Sequence, residues 1–78
     1  MFKTQIFINA VDKIKEFENK ISRIDCDCDL VSGRYVIDAK SIMGIFSLNL
    51  SKPIDFVAHS DDPKILEAVK EAVKPFEA

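Results

Sequence analysis

Between Arg23 and Leu30 the chain alternates without a slip: Ile24, Cys26, Cys28 and Leu30 on one parity, Arg23, Asp25, Asp27 and Asp29 on the other. Successive side chains of a strand project to opposite faces, so this segment reads as a strand with one covered face and one acidic, wet face. Such a strand belongs in an antiparallel sheet clothed on one side only. The remaining chain must supply its neighbours and the layer over its dry face. With 78 residues in all, there is enough chain for one core of modest size. Residues 1–78 are therefore expected to form a single domain.

The other elements fall on either side of that strand. Phe2 to Ile8 reads as a strand with Phe2, Thr4, Ile6 and Ile8 on one face, leaving Phe7 as a candidate exposed aromatic. Asn9 is placed to cap a helix beginning at Ala10, whose stripe is Val11, Ile14, Phe17 and Ile21. Ser32-Gly33 marks a hairpin turn, and Arg34 to Ala39 returns with Tyr35, Ile37 and Ala39 on one side. Ser41 stands before Ile42-Met43-Gly44-Ile45-Phe46-Ser47-Leu48 as the cap of a short helix. Gly44 inside it costs about 1 kcal/mol of propensity against alanine, which points to close packing or a shortened helix.

After Lys52-Pro53, Ile54 to Ala58 forms a fourth strand with Ile54, Phe56 and Ala58 inward. Asp61 or Asp62 caps a last helix with Pro63 at its first position, and Ile65, Leu66, Ala68, Val69, Ala72, Val73 and Phe76 supply its core side. The order is β-α-β-β-α-β-α. The expected architecture is an α/β (α+β) open-faced sandwich, a four-stranded antiparallel sheet with helices on one face.

Composition narrows the function. Eleven basic against thirteen acidic residues leave a charge of -2, with the lysines dispersed among acids, so direct nucleic-acid binding is not expected. No apolar run approaches the roughly 20 residues of a membrane span. No export signal is visible, which makes the cytoplasm the expected compartment. Cys26 and Cys28 lie on the same parity, near the upper limit of disulfide spacing, and read as buried thiols filling the core. Two thiols without a second pair do not make a structural zinc site, and three aspartates in an open stripe do not make a calcium loop. No metal, cofactor or catalytic constellation is expected, and the chain reads as a non-enzyme.

One segment is more specific. Asp38-Ala39-Lys40-Ser41-Ile42-Met43-Gly44-Ile45-Phe46-Ser47-Leu48 closely resembles N-A-K-S-I-M-G-L-[ML]-S-L, the stretch that ends the third strand and forms the short second helix of bacterial HPr phosphocarrier proteins. Gly33-Arg34 is similar to that family's turn glycine and basic residue. The segment Ile54 to Pro63 resembles its I-T-I-x-A-x-G-x-D-E stretch. The resemblance covers most of the chain after Gly33.

It also fails where phosphate chemistry would sit. Phosphate-carrying members have G-L-H-A-R-P before the first helix; here Asn9 runs straight into Ala10-Val11-Asp12-Lys13. Asp12 would bring negative charge to a helix start that must attract an anion. The chain is accordingly identified as a divergent member lacking the active-site histidine.

His59 is the only histidine and is a weak candidate for a relocated phosphoryl acceptor; its expected position is solvent-facing or at a sheet edge. Ser41 matches the serine that a dedicated kinase phosphorylates in Gram-positive relatives, although a serine cap needs no regulator to explain it. Ile42, Met43 and Phe46 resemble the family's apolar docking patch around that serine. The resemblance implies a protein-interaction or regulatory module whose partners are a serine kinase, phosphotransferase components or a transcription regulator. The alternatives are a phosphotransferase-system carrier using His59, and a structural or interaction protein with a drifted partner.

Overall fold

A computed structural model describes residues 1–78. The elements are β1 (Phe2–Ile6), α1 (Val11–Ile21), β2 (Asp27–Ser32), β3 (Tyr35–Asp38), α2 (Ile42–Phe46), β4 (Ile54–His59) and α3 (Pro63–Val73), followed by a 3-10 turn over Lys74–Phe76. The four strands form one antiparallel sheet in the order β1-β4-β2-β3. The expected α+β open-faced sandwich is the architecture observed.

Alternation decides which face is dry. Ile6, Cys28, Leu30, Ile54, Phe56 and Ala58 are buried, whereas Lys3, Gln5, Asp27 and His59 are exposed on the open side. The helices close the dry face. Phe17 of α1 stands edge-on to Phe56 of β4, with centroids 6.0 Å apart, and to Phe76 of the terminal turn at 5.6 Å. Edge-to-face geometry sets the positive rim of one ring against the negative face of another. Phe17 thus ties helix, sheet and C-terminal turn into one core.

The ends of the strands are set by their partners. Ile6 pairs with Ile54, the first residue of β4, and no residue before Ile54 belongs to that strand. β1 therefore stops at Ile6, two residues short of the expected Ile8. Phe7 turns instead to the C-terminal segment, its N–H donating to Phe76 O at 2.8 Å, and is only half exposed.

At the other end, Asp27 pairs with His59, the last residue of β4. Residues 24–26, expected in the strand, have no neighbour and form a turn off α1, though Ile24 and Cys26 still pack against the core. Cys28 is buried and Cys26 only partly so; the thiols are free, with sulfurs 3.8 Å apart.

The helix starts differ in detail from expectation. Ala10, not Asn9, is the N-cap of α1, with extended backbone and no side-chain cap. Val11 lies about 60° around the helix from Ile14 at 100° per residue and is exposed, so the buried stripe is Ile14, Phe17 and Ile21. Ala68 is likewise exposed at the margin of α3. Asp62 caps α3, its carboxylate accepting from Lys64 N at 2.9 Å, with Pro63 at the first position. Asp61 instead accepts from the Met1 ammonium at 2.8 Å, which holds its carboxyl below the usual carboxylate range. No helix is long and apolar enough to cross a membrane.

Candidate functional site

Ser41 follows β3 and opens α2. Its backbone is extended and its Oγ accepts from Gly44 N at 3.2 Å, an N-cap that satisfies one of the free amides of the first turn. The preceding turn is fixed by Asp38, which accepts from Ser41 N through its carbonyl (3.0 Å) and from Lys40 N through Oδ1 (2.9 Å). Lys40 Nζ reaches back to Ile24 O at 2.6 Å. Ser41 is therefore positioned by backbone contacts on both sides.

From this cap α2 points its side chains two ways. Ile45 is buried, and Leu48 just beyond the helix is buried with it. Ile42 is half-buried against the core. Met43 is 79% exposed and Phe46 46% exposed. A helix of five residues has no room to bury all its apolar side chains beneath itself. The protruding patch is thus Met43 and Phe46, with part of Ile42, next to the Ser41 hydroxyl.

The start of α1 is built from different residues. Ala10 offers no side-chain acceptor or donor, and Asp12 occupies the first turn, its carboxylate accepting from Lys13 N at 3.0 Å. No histidine or arginine lies between β1 and α1.

His59 ends β4, an interior strand between β1 and β2, so it stands on the open sheet face and not at an edge. Its Nε2 lies 2.7 Å from Asp29 Oδ2 across the strand pair, both side chains being partly exposed. Asp27 sits directly opposite His59 in register. Two carboxylates therefore surround the only imidazole.

Two shallow clefts mark the surface. One, of about 370 Å³, is lined by Gln5, Ser32, Asn49, Lys52 and Asp55 among others, and the second, of about 360 Å³, lies between Phe2 and α3. Neither includes Ser41, Met43, Phe46 or His59. The α2 region is an exposed surface and not a cavity, a form that suits a macromolecular contact better than a small ligand.

This arrangement of a one-sided antiparallel sheet and three helices defines an HPr-like fold. HPr-C-His from Thermoanaerobacter tengcongensis superposes with a TM-score of 0.74 at 22% identity, covering 95% of this chain and 92% of that one. A phosphocarrier protein HPr from Bacillus anthracis gives 0.74 at 18% identity, covering 97% and 96%. No protein-family profile matches the chain. No curated protein sequence matches it either. Identity at this level carries the fold across, and the chemistry must be argued from the residues.

Proposed function

We propose that this chain is a single HPr-like domain that lacks the phosphocarrier histidine and works as a non-catalytic protein-interaction or regulatory module in the cytoplasm. Its docking surface is Met43 and Phe46 with the exposed part of Ile42, and phosphorylation of Ser41 controls it. The observation that carries the reading is the contrast between two helix starts. At α2 a hydroxyl lies beside protruding apolar side chains; at α1 an aspartate stands in the first turn, and neither a histidine nor an arginine is present there.

A phosphate on Ser41 adds close to two negative charges at the rim of the apolar patch. A partner that buries Met43 and Phe46 must then meet that charge, either with a cation that strengthens docking or without one, which weakens it. Suitable partners are a serine kinase, phosphotransferase components or a transcription regulator. Phosphoryl transfer through His59 has less support: Asp29 engages Nε2 and leaves Nδ1 free, but Asp29 and Asp27 set two carboxylates beside the ring, where they repel an anionic phosphoryl donor.

The test is to incubate the protein and its Ser41→Ala variant with the serine kinase of HPr proteins and ATP. A single phosphate on the native chain, absent from the variant, is expected. An unmodified Ser41, under conditions that modify a control HPr, would discard the regulated form of the proposal.

A further inference from the structure

The two edges of the sheet are treated differently. Along β1 the C-terminal residues close the edge: Phe7 N donates to Phe76 O (2.8 Å), Ala78 N to Gln5 O (3.0 Å), Ile6 bridges to Glu77, and Thr4 Oγ1 donates to Glu77 Oε2 (2.8 Å). Nothing covers β3 at the opposite edge. Tyr35 is 70% and Val36 63% exposed there, and Arg34, beside them, makes no ion pair within its own chain.

The backbone of this edge has a defined parity. Gly33 (φ 60°) and Arg34 form a two-residue turn between the Ser32–Tyr35 pair, with the positive φ at the first central position that a type II′ hairpin requires. In such a ladder Ser32–Tyr35 and Leu30–Ile37 exchange hydrogen bonds, and Val31–Val36 does not. Ala39 N donating to Cys28 O at 2.8 Å keeps the same phase. The N–H and C=O of Val36 therefore point away from the sheet, unpaired.

We propose that β3 pairs with β3 of a second copy of this chain, antiparallel and centred on Val36, joining the two sheets edge to edge. The proposal does not rest on the function above, although Asp38 also fixes the turn that presents Ser41.

Charge complementarity selects both the occupant and the register. With Val36 opposite Val36, residues whose numbers sum to 72 face each other, so Arg34 of each copy meets Asp38 of the other, and Tyr35 meets Ile37. Shifting by two residues in one direction sets Arg34 against Lys40; shifting in the other sets Asp38 against Ser32. Only the centred register pairs opposite charges at both ends. Asp38 retains Oδ2 for this contact, because Oδ1 is engaged by Lys40 N. Opposed residues share a face, so Val36 meets its equivalent beside Val31 on the open side, while Tyr35 gains Ile37 on the helix side. So short a pairing falls in the small, transient class of interface.

The experiment is sedimentation equilibrium of the full chain from about 10 μM to about 1 mM, a range that spans weak affinities, with amide exchange recorded in parallel. The mean mass should climb from 8.8 kDa towards twice that value, and exchange of the Val36 amide should slow as concentration rises. Arg34→Asp alone and Asp38→Arg alone should each stay monomeric, since each sets like charges together at both ends. An equimolar mixture of the two should associate again. Val36→Pro removes a donor that the monomer does not use, and should abolish association in a folded chain should Asp38→Arg fail to fold. A mass of 8.8 kDa throughout, an association that survives Val36→Pro, or protection that appears at Met43 and Phe46 instead of Val36 would overturn the proposal.

Discussion

A Cβ placed on Gly44 would lie 3.2 Å from Ile37 Cδ1 and 3.3 Å from Ser41 Oγ. The backbone of α2 at Gly44 thus packs closely against the Ile37 side chain of β3. Gly44→Ala should gain helix propensity of about 1 kcal/mol and lose a similar amount to crowding, leaving stability nearly unchanged. In an Ile37→Val background the obstructing methyl is gone, and the same change should stabilise by about 0.5–1 kcal/mol. Urea titration of the four proteins of this cycle measures the coupling.

Ser41 supplies the α2 cap, so its substitutions separate capping from charge. Ser41→Ala should cost about 1 kcal/mol, because Gly44 N loses its acceptor. Ser41→Asp keeps an acceptor favoured at N-caps and should fall within about 0.5 kcal/mol of the native chain. Equal losses in both variants, read from denaturant midpoints, would contradict this picture.

Phe17 and Met43 mark the extremes of apolar environment. Phe17→Ala opens a void between two edge-on aromatic contacts and should cost about 3–5 kcal/mol. Met43, mostly exposed, should change stability by less than about 0.5 kcal/mol when replaced by alanine. Thermal unfolding of both variants provides the comparison, and a well-folded Met43→Ala leaves any loss of docking attributable to the surface.

Burial pushes the Cys28 thiol up from 9.0 to about 12, and the neighbouring Cys26 adds to the effect. The folded chain then holds a proton that the unfolded chain releases above about pH 9. Stability contributed by the neutral thiol is intact below that pH and falls as pH rises towards 12. The thermal midpoint should decline across this window, and Cys28→Ala should remove part of the slope. At pH 8, iodoacetamide should modify Cys26 alone in the native state and both thiols after unfolding; rapid native labelling of Cys28 would show that the site is open.

Much of this fold could be read in advance, because the inward residues Leu30, Phe56, Ile14 and Ile21 repeat at the periods of strand and helix. The start of β2 could not. Ile24 and Cys26 continue the alternation and touch the core, yet β4 ends opposite Asp27, so the pattern outlasts the pairing. For His59 the solvent-facing alternative was legible, but the choice against a sheet edge was not, because strand order, which places β4 in the interior, is not encoded in any local pattern. At α2 the capping role of Ser41 was visible from residue type and spacing. The division of Ile42 from Met43 and Phe46 was not, since five residues are too few to set a face by periodicity. Neither the closed β1 edge nor the open β3 edge has a local signal, as both depend on where the C-terminal residues travel.

The central functional claim is that this chain does not relay phosphoryl groups from phosphoenolpyruvate. It is tested most directly by incubation with phosphoenolpyruvate and the transferase that charges HPr proteins, followed by intact-mass measurement under alkaline conditions that preserve phosphohistidine. We expect the mass to stay unchanged while a control HPr is fully modified. An acid-labile phosphate on His59 would contradict the account.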